Sequence, residues 1–304
     1  MNVNMRGTAA ALSVLALALT VQGCGFINQL RSKNVLNEGV RTFNGGKYDQ
    51  AQQQFEEALS YDPDNQNAKF FLAMSLNAQY EKARNSQNIK KEETVDLGNK
   101  TIQAFEEVIA SNPSPQFLDR AYGFIANTYK TLADQVFDPK DDAQQVAQHE
   151  QKYLDYIQKR AELPDQTPRV RAQMYYTLAD HYWREGRETI LNYEKKDPAN
   201  PMAPVSYDPV PADRAATIQA AIAKAHEYNQ KAIETDPTYP EPYIGEKLVY
   251  MEEIKLVQND QAKRDQIKAQ VDAWDEKYRE RLSAQQEADA TAATAAPPEG
   301  AAGQ

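Results

Sequence analysis

The sequence predicts an all-α fold built from successive helical hairpins. Small, aliphatic and aromatic residues recur at helical spacing along the chain, and prolines or glycines separate the helical segments. No segment shows the sustained two-residue alternation that is typical of a half-buried strand. With 304 residues, the chain is long enough for a sizeable core or a repeat array.

The first element has the layout of an export signal. Arg6 precedes the uncharged run from Ala9 to Val21, and a small residue, Gly23, precedes Cys24. The run is too short to cross a bilayer, which needs about 20 residues in a helix. Residues 1–23 are therefore predicted to be a signal peptide. The alternative is a plain signal peptide, or a short apolar helix, that ends at a cysteine by chance.

The residues Val21-Gln22-Gly23-Cys24 resemble the lipobox of bacterial lipoproteins. That resemblance implies cleavage between Gly23 and Cys24 and a covalent lipid on Cys24, with residues 24–31 as a membrane tether. Gly25 stands where lipoproteins of the inner membrane often have aspartate. The resemblance therefore implies the periplasmic face of the outer membrane. Cys24 is the single cysteine, so no disulfide forms within the chain.

The next element carries a repeat signature. Small and aromatic residues between Gly46 and Ala58 suit two closely packed helices, and Pro63 ends the second one. This pattern, with Gly39 in the preceding helix, resembles the tetratricopeptide repeat, a helical hairpin of about 34 residues. The resemblance implies a right-handed superhelical stack of hairpins, here with insertions.

The same pattern returns along the chain. Pairs of tyrosines seven residues apart, such as Tyr122 and Tyr129, mark further first helices. Repeat units are predicted at 32–65, 66–114, 119–164, 172–237 and 240–258, within a repeat domain at 32–258. Five prolines predict an extended loop at 197–213. A closing helix at 259–285 and a disordered tail rich in alanine and proline at 286–304 complete the prediction.

Composition and motifs weigh against several function classes. The formal net charge is -10, which disfavours nucleic-acid binding. The histidines, His149, His181 and His226, stand on different predicted helices and form no metal-binding motif. Tyr48 follows Gly46-Lys47 where a phosphate loop needs serine or threonine. We therefore expect no enzyme activity, no catalytic or metal-binding residue, no small-molecule substrate and no cofactor apart from the lipid.

The candidate binding residues follow from the repeat resemblance. In that family, residues one and five positions after the first-helix aromatic usually face the concave groove, and position eight is a plausible addition. The corresponding residues are Phe70, Met74, Gly123, Asn127, Lys130, Tyr176, Asp180 and Trp183. Such a groove suits apolar or aromatic side chains of a peptide. Alternatively, several of these aromatics pack between neighbouring hairpins.

The leading functional hypothesis is a lipid-anchored scaffold that binds protein partners in the bacterial cell envelope through its groove and proline-rich loop. A component of an envelope assembly machine is the first alternative, because lipoproteins of outer-membrane-protein insertion and pilotins of type IV pili have a similar organisation. An enzyme or enzyme accessory of peptidoglycan metabolism is a further alternative, for which the sequence offers no nucleophile-base pair.

Overall fold

A computed structural model describes residues 6–86, 90–196 and 206–295, with side chains from residue 25 to residue 291 in those ranges. The all-α prediction is confirmed for the described residues, which form ten α-helices. These are α1 (Arg6–Asn44), α2 (Tyr48–Tyr61), α3 (Gln66–Arg84), α4 (Lys91–Ala110), α5 (Pro115–Thr131), α6 (Ala143–Ala161), α7 (Pro168–Leu191), α8 (Ala212–Thr235), α9 (Glu241–Leu256) and α10 (Gln261–Ala295). A π-helical turn at Leu132–Val136 follows α5.

The chain divides into two compact units, with the boundary inside α6 between Tyr156 and Ile157. In unit 1, consecutive helices pack on one another from α1 to α5. The ring of Phe55 on α2 is fully buried, and a Cβ atom at Gly39 of α1 would lie only 2.5 Å from its Cε1 atom. Glycine at position 39 therefore lets α1 approach α2 closely enough to cover this ring.

Short turns set the boundaries of the first helices. Gly46 has a φ of +74°, a backbone conformation that glycine adopts without steric cost, and α2 begins two residues later. Asn65 caps α3, because its side chain accepts a hydrogen bond from the Ala68 amide. The Asn65 amide group also donates to Ser32 Oγ at 3.0 Å, which ties this turn to α1.

Unit 2 is built around the antiparallel pair α7 and α8. One aromatic contact between them is a parallel stack of Tyr182 on Tyr228, with ring centroids 5.8 Å apart. Helix α9 packs against both α7 and α8, and α10 packs against α9. Lys247 of α9 donates to Asp275 of α10 at 2.6 Å. Each helix of this unit therefore covers the one before it.

A two-stranded antiparallel ribbon joins α7 to α8, which departs from a purely helical fold. Its strands are β1 (Glu194–Lys195) and β2 (Ser206–Tyr207). Much of the predicted proline-rich loop, residues 197–205, lies outside the described residues. Helix α8 begins at Ala212, directly after Pro211, so the end of the predicted loop belongs to the helix. Proline suits such a helix start because it needs no amide donor there.

The two ends of the chain differ from the predicted boundaries. Residues 24–31, predicted as a tether, continue α1 without interruption. At the other end, α10 runs to Ala295, so the predicted start of the tail at residue 286 is too early. Alanine is the best helix former, and the first proline of this region is Pro297. None of the helices in the described residues has an apolar stretch long enough to cross a bilayer.

Candidate functional site

The predicted groove residues of α3 have different environments. Phe70 is only 1% exposed and stacks on Phe117 of α5, with ring centroids 4.4 Å apart and ring planes at 6°. Phe105 of α4 contacts the same ring edge-on at 6.1 Å. Phe70 is thus a core residue that joins three helices, which corrects its assignment to an open groove. Met74, one turn further along α3, is half-buried.

The predicted groove residues of α5 are more open. Asn127 and Lys130 are both exposed, and Gly123 is half-buried. Lys130 Nζ lies 2.8 Å from a carboxylate oxygen of Asp134 and 5.2 Å from the centre of the Tyr153 ring. The charge of Lys130 is therefore already paired within unit 1, whereas Asn127 is open to a partner.

Unit 2 brings the remaining three predicted residues, Tyr176, Asp180 and Trp183, to one face of α7. Tyr176 is half-buried and meets the Tyr239 ring edge-on, with centroids 6.1 Å apart. Burial, followed by the negative charges of Asp180 and Glu241, raises the pKa of Tyr176 to about 12. Its phenol therefore stays protonated at neutral pH and can donate a hydrogen bond.

Charged side chains border this face of α7. Arg184 Nε donates to Asp180 at 2.8 Å, one turn along the helix. The guanidinium carbon of Arg187 lies 5.2 Å from the centre of the Trp183 ring, within the range of a cation–π contact. The half-buried Trp183 is thus held between the helix surface and an exposed cation.

These three residues share a narrow cleft with α8 and α9. Its lining residues are Tyr176, Ala179, Asp180, Trp183, Asn229, Gly245 and Leu248, and its volume is about 10 Å³. A Cβ atom at Gly245 would lie 2.5 Å from Asn229 Oδ1, so glycine is needed where α8 and α9 meet. Pockets for small molecules are larger, at roughly 300–1,000 Å³. The site therefore offers a surface rather than a pocket.

Apolar residues of α9 extend this surface. Ile244, Leu248 and Met251 recur at intervals of four and three residues, which places them on one helix face. Ile244 and Leu248 are half-buried, and Met251 is 41% exposed. We call the set formed by Tyr176, Asp180, Trp183, Ile244, Leu248 and Met251 the α7–α9 face. It combines an aromatic and aliphatic centre with charged neighbours, the composition of many protein interfaces.

Two further clefts of unit 2 contain cations with internal partners. The first, of about 380 Å³, includes Arg169 and Arg281. Arg169 bonds to Asp236 and Thr238, and Arg281 lies 5.7 Å from the centre of the Tyr243 ring. The second, of about 670 Å³, lies beside the β-ribbon and includes Lys255, which bonds to Glu252. Arg169 and Lys255 are thus ion-paired within the unit, and Arg281 contacts an aromatic ring.

A buried charged cluster between α8 and α9 was missed by the sequence-based prediction. His226 Nδ1 lies 2.6 Å from Glu246 Oε2, and its Nε2 lies 3.5 Å from Glu253 Oε1. Glu246 is only 1% exposed, and the Tyr250 ring covers the imidazole at 4.6 Å. One feature of the sequence could have indicated this cluster. Glu246 stands where the repeat pattern has an apolar or small residue. The two carboxylates contact opposite ring nitrogens, so the cluster is an ion pair between helices.

The remaining histidines make local contacts in the part of the chain that the structure describes. Within these residues, no group of three histidine, cysteine or acidic side chains is arranged to hold a metal ion. His149 lies 2.7 Å from the Gln145 carbonyl oxygen, and the His181 ring contacts Tyr182. The backbone of Gly23 and Cys24 is helical, and their side chains lie outside the described set.

No protein-family model matches the chain, and no curated protein is significantly similar to it in sequence.

Proposed function

We propose that this chain is a lipid-anchored, non-enzymatic scaffold of the bacterial cell envelope whose tetratricopeptide-like hairpins bind protein partners. The α7–α9 face is the observation that carries the proposal. Two helices that each begin a hairpin lie side by side there and present aromatic, aliphatic and charged side chains over a cleft too small for a ligand. Such a surface fits an extended or helical peptide with apolar side chains.

The series of hairpins supports the repeat interpretation. Helices α1 and α2, α3 and α4, and α7 and α8 pack as sequence neighbours, and α9 contacts both helices of the preceding pair. In a tetratricopeptide array each hairpin packs on its neighbour, and the first helices together line a concave surface. A right-handed superhelix of such hairpins is part of the proposal, together with attachment to the outer membrane through Cys24.

The first test concerns partner binding. We expect the double substitution Trp183→Ala and Met251→Glu to reduce capture of partner proteins from solubilised membranes by at least about tenfold, because aromatic anchors dominate interface energies. Tyr176 is left intact, since its contact with Tyr239 supports the fold. Capture is measured by affinity purification of the lipidated chain and quantitative mass spectrometry.

Glu185→Ala provides a matched control for this experiment. Glu185 is exposed and lies on α7 two residues from Trp183, so its side chain points away from the α7–α9 face. The control should capture the same partners as the wild type. Equal capture by the wild type and the double variant, both folded by circular dichroism, would exclude this face as the binding site.

The second test concerns the anchor. Wild-type protein should sediment with membranes and stay there after a carbonate wash, and Cys24→Ala should lose this wash-resistant fraction because it cannot be acylated. Cell fractionation with immunoblotting measures both. A wild-type protein that is soluble after signal cleavage would refute lipid attachment, and fractionation on a density gradient separates outer from inner membranes.

A further inference from the structure

Helix α1 has an exposed apolar patch between residues 26 and 30. Phe26, Ile27 and Leu30 of α1 are 64%, 50% and 47% exposed, and they are three of the five large hydrophobic residues found exposed among the described side chains. Residues 25–31 are all exposed, and Ser32 is the first buried side chain of α1. This stretch therefore extends beyond the core of unit 1 and exposes apolar surface.

The three residues share one face of the helix. Successive residues of an α-helix are about 100° apart, so Phe26, Ile27 and Leu30 fall within an arc of about 100°. Ser32 and Leu36, which are buried against unit 1, lie on the opposite side. Packing of α1 onto α2 therefore leaves the apolar arc free.

Basic residues border this arc on both sides. Arg31 and Lys33 lie roughly 40° and 20° beyond its two edges, and both are exposed. No acidic residue occurs between Gly25 and Asn37, although the whole chain has a net charge of -10. The apolar patch is thus located in a locally basic segment of an acidic protein.

We propose that this segment, residues 25–33, binds the surface of a bilayer that contains anionic phospholipids. An apolar helix face with flanking cations is the arrangement that inserts at the boundary between headgroups and acyl chains. The proposal rests on the anchoring proposed above, because acylated Cys24 would hold Phe26 within two residues of the bilayer. Apolar contact and the attraction of Arg31 and Lys33 to phosphate groups then supply a second membrane signal beside the lipid.

The test uses the full mature chain with Cys24→Ser, which cannot be acylated. We expect it to cosediment with vesicles of phosphatidylethanolamine and phosphatidylglycerol, and less with vesicles of phosphatidylcholine alone. Substitution of Phe26, Ile27 and Leu30 by serine should weaken binding at least about tenfold, since binding scales with the apolar area inserted. Added salt should also weaken it, because salt screens the attraction between charges.

Leu191→Ser is the matched control, because Leu191 is also a large hydrophobic residue with an exposed side chain, at 38%, and lies outside residues 25–33. This control should bind vesicles like the parent chain. Equal binding by the triple variant, or no binding by the parent chain, would overturn the proposal. A dimer of the parent chain that the triple variant loses, seen by light scattering, would instead assign the patch to a second copy of the chain. Because the assay contains no acyl group, its result is independent of whether Cys24 is acylated in cells.

Discussion

Replacing Phe70 by alanine should lower the free energy of unfolding of unit 1 by about 3–5 kcal/mol, the usual cost of removing a buried aromatic ring. The ring lies between α3, α4 and α5, in contact with Phe117 and Phe105. Arg120 covers it as well, with its guanidinium carbon 4.7 Å from the ring centre. Denaturant unfolding followed by circular dichroism measures the loss.

Met74→Ala is the control for this prediction, because Met74 is predicted to line the same groove and lies one turn away. Its half-buried side chain should contribute less to stability than Phe70. If Phe70→Ala kept the stability of the wild type within about 1 kcal/mol but abolished partner capture, Phe70 would be a binding residue after all. Loss of stability without a specific effect on binding would assign it to the core.

The helical hairpins were predictable because their signals are local. One short segment contains three such signals: Gly39 marks a close helix contact, Phe55 a buried ring and Pro63 a helix end. Phe55 is fully buried in the structure. Tyr176, Asp180 and Trp183 were assigned to one groove from the repeat resemblance, their spacing of four and three residues fits one helix face, and they line one cleft. Periodicity thus determines which residues of a single helix point the same way.

Features that depend on the next helix were not predictable in this way. The position of Phe70 along α3 fits a groove residue and a core residue equally well. Only its stacking on Phe117 of α5 shows that it belongs to the core. The β-ribbon pairs two short segments whose sequences show no strand pattern. Glu246 is buried against His226 of the neighbouring helix, a contact that the sequence of α9 alone does not reveal.

Replacing Glu246 by alanine should destabilise unit 2 by about 3–5 kcal/mol, because removing one member of a buried ion pair leaves the other charge without compensation. His226 would keep only the more distant Glu253, whose side chain is partly exposed. Glu253→Ala is therefore the control and should cost about 1 kcal/mol or less. Thermal and denaturant unfolding measure both. If both variants lost equal stability, the close pair would not be the dominant interaction.

The same cluster predicts how stability depends on pH. Burial alone would lower the pKa of His226, but hydrogen bonds to Glu246 and Glu253 outweigh it and raise the pKa to about 9. The unfolded chain has a histidine pKa of about 6.5, so the folded state binds the additional proton between these values. The stabilisation is complete below pH about 6.5 and is lost as pH rises through about 9, with a total on the order of 3 kcal/mol. His226→Gln should flatten this decline. An unchanged decline in His226→Gln would show that other groups cause it.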